Sequence, residues 1–537
     1  MSEARVVSKK EAKQAHFSRN AAVFAMGTLL SRVLGMARDI VNATQIPEAS
    51  FGAFNIAFRL PNMFRELIGE GAANAAFIPV LSETQEKRDD AAFRELVGVA
   101  LGNMLVVLAA MTALGVAFVH LPLAGADQLM WLTGAKKLDP AYVALTMSVA
   151  RWTFPYLFFI GVAVFMMGPL FAVRHYATPS WTPSLLNVAL ILASMPFILK
   201  RFPDPAYALA LGVWVGGISH VVINWIAMGK HTGVWMPVFR FNHPDMRRIY
   251  LLLVPVLIGQ SANEVNKLID LMFANSLGPG AVNALYLGNR LTQLPLAMFG
   301  MAVSAAILPR ISRAGARGAH DEMRATLMQG LRFSFFLIAP SMLGLIALRE
   351  PIMRLLFEYG VRTNAQTTLD AAAALAYFST GLLAFAWVKV TVGGFYALLD
   401  TKTPVKIATA SILLNILLNA ALIKPMGFRG LALATTISFT VNFALLYLML
   451  CSRIGRLWDR NFLEGLGKMT FAAIIMACVA YGVYVRVHIW WPQDTVLMRL
   501  AGVALPIATA AAVYGAICKA MGIGELDAVW QMAGRGK

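Results

Sequence analysis

The segment from Ser31 to Asp39, SRVLGMARD, places two arginines and an acid inside an apolar stretch. An arginine or aspartate at the centre of a membrane helix costs roughly 2.5–3.5 kcal/mol to insert, so such side chains normally face a protein interior or a water-filled cavity. Arg32 and Asp39 are seven residues apart and are predicted to share one helix stripe, whereas Arg38 points elsewhere. The segment therefore predicts a helix that borders a polar cavity.

A second polar face follows between residues 52 and 81, where charged and amide side chains recur at spacings of three and four. Pro61 should kink this helix and free backbone groups that only a protein-lined cavity can satisfy. One interpretation is a cargo-binding surface. The other is an internal ion-pair network that locks two helices together, with Arg59, Arg65, Glu66 and Glu70 as its members.

Further along the chain, Arg290 lies in a corresponding apolar segment, and the preceding segment contains Glu264, Lys267 and Asp270. Arginines outnumber acids among the most deeply placed charges, which are Arg32, Arg38, Arg59, Arg65 and Arg290 against Asp39, Glu66 and Glu70. A planar guanidinium donates paired hydrogen bonds to phosphate oxygens. The predicted cavity is therefore cationic and favours a diphosphate or another polyanionic headgroup.

Other patterns are weaker indicators of chemistry. Asp270, Asp400, Asn415 and Asn419 offer oxygen ligands for a coupling Na⁺ or H⁺, although asparagine in apolar helices more often bonds across a helix interface. The sequence has no phosphate-binding loop, nucleophile elbow or clustered metal ligands, and its three cysteines lack metal-type spacing. We expect no enzyme activity and no cofactor, with a coupling ion or the membrane potential as the driving force.

The amino-acid composition indicates the environment in which these charges lie. Of 537 residues, 58% are hydrophobic and only 14% are charged, whereas soluble proteins have about 25% charged residues. Windows of about 20 residues predict an all-α polytopic membrane protein with about fourteen spans. The predicted spans are 20–42, 52–81, 93–121, 142–173, 178–199, 206–229, 248–275, 281–309, 325–348, 371–398, 404–424, 429–451, 464–486 and 497–520.

The net charge of +18 is concentrated in short loops on one side of these spans. That bias predicts that both termini are cytoplasmic and that the basic loops attract anionic membrane lipids. The polar, basic tail at 1–18 lacks the apolar core of a secretory signal. No basic tract is interleaved with aromatic residues on a soluble domain, so nucleic acid is not an expected partner.

An internal repeat is visible in two places. Arg59-Leu60 and the segment AAFIPVLS at 75–82 recur as Arg290-Leu291 and AAILPRIS at 305–312, and Phe171-Ala172 with Thr178-Pro179 recurs as Tyr396-Ala397 with Thr403-Pro404. Six spans separate the copies, which predicts two six-helix lobes in parallel orientation. The predicted domains are a tail at 1–18, lobes at 19–230 and 247–452, a two-helix appendage at 463–520 and a cytoplasmic tail at 521–537.

Together these motifs closely resemble the MurJ (MviN) lipid II flippases of the multidrug/oligosaccharidyl-lipid/polysaccharide exporter superfamily. The resemblance runs through nearly the whole chain and is strongest in SRVLG at 31–35 with ARD at 37–39, LPN at 60–62, EGA at 70–72, AFIP at 76–79 and DTKTPV at 400–405. It implies a V-shaped central cavity between the lobes. It also implies export of undecaprenyl-diphosphate-linked peptidoglycan precursor to the outer leaflet of the bacterial inner membrane.

The resemblance further assigns residues and partners. Arg32, Arg38, Arg65 and Arg290 would bind the diphosphate and sugar headgroup. From the polar faces of the first two predicted spans, we expect these residues to support or gate the cavity: Ser31, Asp39, Arg59, Glu66 and Glu70. The final helix pair would hold the prenyl tail in a groove, and the cell-wall synthesis machinery would be a further partner. Two departures, Ser50-Phe51-Gly52 and Arg65-Glu66, put any gating role at those positions in doubt.

Two competing functions remain at this point. A multidrug or O-antigen-lipid exporter on the same fold is compatible with the resemblance because a fold does not determine its substrate. A drug pump should have an acidic, aromatic-lined cavity, so this rival needs an anionic cargo. An integral-membrane enzyme acting on polyprenyl phosphate would need a carboxylate cluster in an aqueous loop, and the loops are short and lack one.

Overall fold

The computed structural model describes residues 26–27, 30–65, 77–120, 139–358, 365–491 and 495–527. Within these ranges the chain is helical and contains no strand, which confirms the predicted all-α class. Glu66, Glu70 and the tail at 1–18 lie outside the described residues, as does the side chain of Arg65.

The helices follow one another with short connections. The first half of the chain contains α1 (30–45), α2 (Glu48–Arg65), α3 (Ile78–Lys87), α4 (Asp90–His120), α5 (Pro140–Thr153), α6 (Tyr156–Ala172), α7 (Ala177–Trp181), α8 (Ser184–Ala193), α9 (Pro196–Leu199) and α10 (Pro205–Thr232). The second half contains α11 (Pro244–Ser276), α12 (Pro279–Pro295), a π-helical turn (Leu296–Gly300), α13 (Met301–Ala316), α14 (His320–Ala347), α15 (Arg349–Phe357), α16 (Ala365–Thr380), α17 (Leu382–Ala397), α18 (Lys402–Met426), α19 (Phe428–Ile454), α20 (Arg460–Trp490) and α21 (Val496–Ala520).

Within the described residues, nine helical stretches are long and apolar enough to cross a membrane: 90–117, 140–172, 205–232, 320–347, 365–397, 402–426, 428–454, 460–490 and 496–520. Each coincides with one predicted span. The predicted spans 20–42, 52–81, 178–199, 248–275 and 281–309 are not among the nine. Residues 20–25, 28–29 and 66–76, which belong to two of these predicted spans, lie outside the described residues, so the total of fourteen spans remains a prediction.

Three predicted spans are broken helices. The span 178–199 is divided into α7, α8 and α9, with Pro183 before α8 and Pro196 as the first residue of α9. Proline has no amide hydrogen and fits an α-helix without strain only in its first turn, so each proline begins a new helix. Pro155 likewise separates α5 from α6, and Gly381 separates α16 from α17.

Side-chain oxygens cap several helix starts. Asp139 accepts a hydrogen bond from the Ala141 amide at 3.0 Å and Asp204 accepts one from the Ala206 amide at 2.8 Å, each directly before a proline. This combination satisfies one free amide and uses proline where no amide is needed. The caps set where two long apolar helices begin.

The chain divides into two compact units, residues 1–128 with 137–268 and residues 129–136 with 269–537. The boundary falls inside α11. In the first unit, Leu96 and Phe165 belong to a core formed largely by α3, α4 and α6. In the second unit, α20 and α21 share one core with α14, α17 and α19, and the Tyr514 hydroxyl donates to the Phe336 carbonyl at 2.9 Å. The predicted domain limits remain predictions.

The order of helices repeats between the units. Helices that begin at residues 48, 90, 140, 177 and 205 have counterparts that begin at 279, 320, 365, 402 and 428. The break at Pro155 corresponds to the break at Gly381. This agreement supports the internal repeat that the sequence motifs indicate, including in segments where the two copies share no sequence motif.

Two equivalent sites of the repeat also share an unusual backbone dihedral angle. We call them the first corner (residues 171–178 with His231) and the second corner (residues 396–403 with Arg453). Arg174 in the first corner has φ of 61° and Leu399 in the second has φ of 58°, and they are the non-glycine residues with positive φ in the described chain. Both corners use the Schellman pairing that ends helices. Its bonds are Arg174 N to Phe171 O (3.0 Å) and His175 N to Leu170 O (2.8 Å), and Leu399 N to Tyr396 O (3.0 Å) and Asp400 N to Phe395 O (3.0 Å).

Candidate substrate site

Arg38 lies on α1 and is held by its neighbour Asp39, whose side chain is fully buried. The Arg38 Nε and Nη2 atoms donate to Asp39 Oδ1 at 2.9 and 2.5 Å. Arg32, which the helix wheel places on the same stripe as Asp39, is exposed instead. The two arginines of α1 therefore occupy different environments, and the buried acid pairs with Arg38.

Asn187 on α8 completes the Arg38 arrangement. Its Oδ1 atom accepts a hydrogen bond from Arg38 Nη1 at 3.1 Å, and its Nδ2 atom donates to the Ser31 carbonyl at 3.0 Å. A second cross-link between the same segments runs from the Ser194 hydroxyl to Asn42 Oδ1 at 2.7 Å. Such fixed contacts hold a guanidinium in one orientation, as anion recognition requires. Asn187 was not among the residues predicted from the sequence, although an amide within the apolar run SLLNVALILA is a signal for such a bond.

Arg59 on α2 pairs with an acid that is distant in sequence. Its Nη2 atom donates to Glu264 Oε2 on α11 at 3.2 Å, and the Lys267 ammonium donates to Glu264 Oε1 at 2.6 Å. The sequence predicted Arg59 within a network with Arg65, Glu66 and Glu70, whose side chains lie outside the described residues. The structure places Arg59 in an ion pair with Glu264, which the sequence did not indicate, and the predicted network stays a prediction.

Arg290 lies on α12 in the second unit and is half-buried. Arg32, Arg38 and Arg59 belong to the first unit, and the side chains of Arg65, Glu66 and Glu70 lie outside the described residues. Joint use of Arg32, Arg38, Arg65 and Arg290 as one cargo site therefore remains a prediction.

Three of the four residues considered for a coupling ion lie together in the second unit. Asn419 Nδ2 donates to Asp270 Oδ1 at 2.6 Å and to Asn415 Oδ1 at 3.2 Å, and both asparagines are buried on α18. The cluster joins α11 to α18, as expected for amides at a helix interface. Among the described residues, no group of three or more His, Cys, Asp or Glu side chains is arranged to hold a metal ion.

Asp400 is separate from that cluster, since it precedes α18 while the asparagines lie well inside the helix. Its Oδ1 atom accepts from the amides of Lys402 and Thr403, each at 3.0 Å, and its Oδ2 atom accepts from the Thr403 hydroxyl at 2.6 Å. The Arg453 guanidinium lies 2.6 Å from Oδ2. The bonds from Thr403, with smaller contributions from Arg453 and the Lys402 amide, lower the pKa of Asp400 to about 2. Asp400 thus forms a helix cap, which its position two residues before Lys402 indicates in the sequence.

The first corner contains a histidine pair where the second contains Asp400 and Arg453. His175, directly after Arg174, stacks on His231 with 3.9 Å between ring centroids, and its Nε2 lies 2.8 Å from the Thr178 hydroxyl. His231 and Arg453 each stand two residues before the glycine that ends the helix, Gly233 and Gly455. Burial and then the nearby charge of His231 lower the pKa of His175. Neither histidine was among the residues predicted from the sequence.

Comparison with known proteins identifies the family. The family model described as lipid II flippase MurJ matches residues 48–502. The chain is 36% identical over 427 residues to "Probable lipid II flippase MurJ" of Vibrio cholerae, covering 78% of this chain and 80% of that protein. It is 31% identical over 505 residues to "Lipid II flippase MurJ" of Burkholderia cenocepacia, covering 92% of this chain and 95% of that protein.

Solved structures show the same fold. A structure described as lipid II flippase MurJ in an inward closed conformation superposes with a TM-score of 0.74 at 21% identity, covering 93% of this chain and 99% of that one. A multidrug resistance MATE family transporter of the MOP superfamily, in an inward-facing conformation, superposes with a TM-score of 0.64 at 17% identity, covering 81% of this chain and 98% of that one. Since the family model spans most of the chain, this protein belongs to the lipid II flippase MurJ family.

Proposed function

We propose that this protein is a lipid II flippase that moves undecaprenyl-diphosphate-linked peptidoglycan precursor from the inner to the outer leaflet of the bacterial inner membrane. The observation that carries the proposal is the family match over residues 48–502. Arg38 of α1 and Arg59 of α2, each paired with a buried acid, agree with a headgroup that carries phosphates. The function is transport for cell-wall synthesis and involves no catalysis by this chain.

The proposed architecture has about fourteen spans in two six-helix lobes, with α20 and α21 as an additional pair that offers a groove for the prenyl tail. The repeated helix order supports the two lobes. The basic loops support cytoplasmic termini by the positive-inside rule. Lipid II and the surrounding anionic lipids are the proposed partners, together with the cell-wall synthesis machinery.

The proposed mechanism is alternating access, in which the lobes rock while the arginines hold the headgroup and the prenyl tail stays in the bilayer. Arg38 has the clearest role, because Asp39 and Asn187 fix its guanidinium from two sides. Moving one charge through 100 mV is worth about 2.3 kcal/mol, so a cationic site couples transport to the membrane potential. Asp270, Asn415 and Asn419 are the proposed oxygen ligands if Na⁺ or H⁺ is coupled.

The test is a leaflet assay for lipid II in cells depleted of the native protein and supplied with variants. We expect Arg38→Ala and Arg290→Ala to abolish export, and Arg38→Lys to restore little, because an ammonium cannot reproduce the planar fork. Arg460→Ala is the matched control, since that arginine is exposed and pairs with Glu464 on its own helix. Unchanged export in Arg32→Ala, Arg38→Ala, Arg65→Ala and Arg290→Ala would show that the mechanism is wrong.

The same assay separates the competing functions. If this protein exports another polyprenyl-linked amphiphile, lipid II should still reach the outer leaflet after the protein is depleted. The other amphiphile should then accumulate in the inner leaflet. The likeness to a multidrug transporter concerns the fold and does not assign a cargo.

A further inference from the structure

Glu264 on α11 joins two cations of the first unit. Its carboxylate accepts from Arg59 of α2 on one oxygen at 3.2 Å and from Lys267 on the other at 2.6 Å. The Glu264 side chain is 8% exposed, while Arg59 is 22% and Lys267 is 49% exposed. A nearly buried carboxylate thus lies beneath two more accessible cations.

The two cations share the Glu264 carboxylate, each on a different oxygen. A half-exposed ammonium within a predicted span cannot face hydrocarbon without a large cost, so Lys267 is expected to border water. An anion that enters this water meets Lys267 and Arg59 before Glu264. Phosphate oxygens and the Glu264 carboxylate would therefore compete for the same two donors.

We propose that Glu264 is a resident counter-ion that holds Arg59 and Lys267 in the empty protein and is displaced from them by the phosphate groups of the cargo. Lys267 then becomes a phosphate-binding residue, and Glu264 a positioning residue that limits how tightly the phosphates are held. The inference rests on the proposed function and adds these two residues to it. A resident acid also explains how a cationic site can release its cargo, because the carboxylate returns to the donors as the phosphates leave.

A purely structural ion pair predicts the opposite response to mutation. If Glu264 only fastens α2 to α11, replacing it loosens both helices and weakens anion binding together with stability. If Glu264 competes with the cargo, removing its charge strengthens anion binding even where stability falls. The sign of the change in affinity therefore separates the two roles.

The experiment measures binding of inorganic pyrophosphate to the full chain in nanodiscs of uncharged lipid by calorimetry. We expect Glu264→Gln to bind pyrophosphate about tenfold more tightly, the effect of removing one charge-assisted competitor. Lys267→Met should bind about tenfold more weakly than the unmodified protein. Glu525→Gln is the matched control, because it breaks another partly buried pair, with Arg332 of the second unit, and should leave pyrophosphate affinity unchanged.

Glu264→Asp provides a second variant in case the glutamine variant does not fold, since the shorter carboxylate reaches the two cations less well and should also tighten binding. Affinity in both variants that is equal to or below that of the unmodified protein overturns the inference, as does an absence of pyrophosphate binding in every protein. Neither of these results decides the outcome of the lipid II export assay in cells. Failure of the inference and failure of the proposed function are therefore distinguishable.

Discussion

The first and second corners share a backbone and differ in their side chains. Both turn through a positive φ at a non-glycine residue and both continue into a Thr-Pro helix start. The second corner joins its helices with the Asp400–Arg453 ion pair, and the first joins them with the stacked rings of His175 and His231. The duplicated fold therefore conserves the shape of the joint within this chain, whereas the chemistry that closes it differs.

The difference has a direct consequence for the response to acid. The folded pKa of Asp400 is lowered to about 2 from an ordinary value of 3.8, so its stabilising effect is complete above pH 3.8 and is lost as pH falls toward 2. The folded pKa of His175 is lowered from 6.5 because burial and the charge of His231 disfavour its protonated form. Its stabilising effect is complete above pH 6.5 and is lost as pH falls through its folded pKa. Mild acid therefore weakens the first corner and leaves the second intact.

The largest expected effect comes from removing the carboxylate of the second corner. Asp400→Ala removes the cap of α18 and the ion pair with Arg453 together, so we expect the midpoint of thermal unfolding at pH 7 to fall by several degrees. His175→Ala should lower it less, because a neutral ring contributes one hydroxyl contact and a stack. Asp370→Ala is the control, because this half-buried acid accepts a hydrogen bond from Gln366 of its own helix and lies away from both corners. Equal losses in the two corner variants would contradict the comparison.

A smaller effect should separate the corners by pH alone. Lowering the pH from 7.5 to 5 should increase amide hydrogen exchange several-fold at residues 177–181 and leave exchange at residues 402–406 unchanged, after correction for the intrinsic pH dependence. The reason is that His175 takes up a proton more readily when the corner is open, because its folded pKa is lowered from 6.5, whereas the pKa of Asp400 is lowered to about 2 and lies far below this range. Mass spectrometry of peptides from the two segments provides the measurement. Parallel changes in both segments would show that the histidine pair is not the source.

The double variant His175→Asp with His231→Arg places the side chains of the second corner on the backbone of the first. We expect it to remove most of the acid response of residues 177–181, since an Asp–Arg pair keeps its charges at pH 5. Each single variant serves as a control, because it leaves an incomplete pair. Retention of the full acid response in the double variant would show that the two backbones are not equivalent.

The smallest expected effect tests the feature that the corners share. Leu399→Gly should stabilise the protein by up to about 1 kcal/mol, because glycine adopts positive φ without the cost that a leucine side chain imposes there. The Leu399 side chain is 92% exposed, so little packing is lost. Arg174→Gly should do the same, less the contribution of its exposed pair with Glu86. Chemical denaturation of both variants measures the effect, and destabilisation by Leu399→Gly would contradict it.

The sequence predicted what depends on local pattern. The nine apolar spans coincide with predicted windows, and the repeated motifs led to a repeat that the helix order supports. The helix cap at Asp400 can also be predicted from the local sequence, since an aspartate just before a helix accepts hydrogen bonds from the first amides of that helix.

Contacts between side chains that are distant in the sequence could not be predicted from local patterns. Arg59 and Glu264 are separated by 205 residues, and nothing in the spacing of either segment indicates that they meet. The same holds for Arg38 and Asn187. A helix pattern shows which side chains share a face, but the choice of the facing helix depends on how all the helices pack.

The four predicted spans that contain the candidate charges also affect how the chain enters the membrane. In each half, the first two predicted spans, 20–42 and 52–81 or 248–275 and 281–309, are the polar ones, and strongly apolar spans follow them. Each central charge adds about 2.5–3.5 kcal/mol to the cost of insertion, so these segments are poor substrates for the insertion machinery when they emerge from the ribosome. Their stable insertion then depends on spans synthesised after them. We therefore expect the charged helices, although they are synthesised first in each half, to be among the last to reach their final position in the membrane.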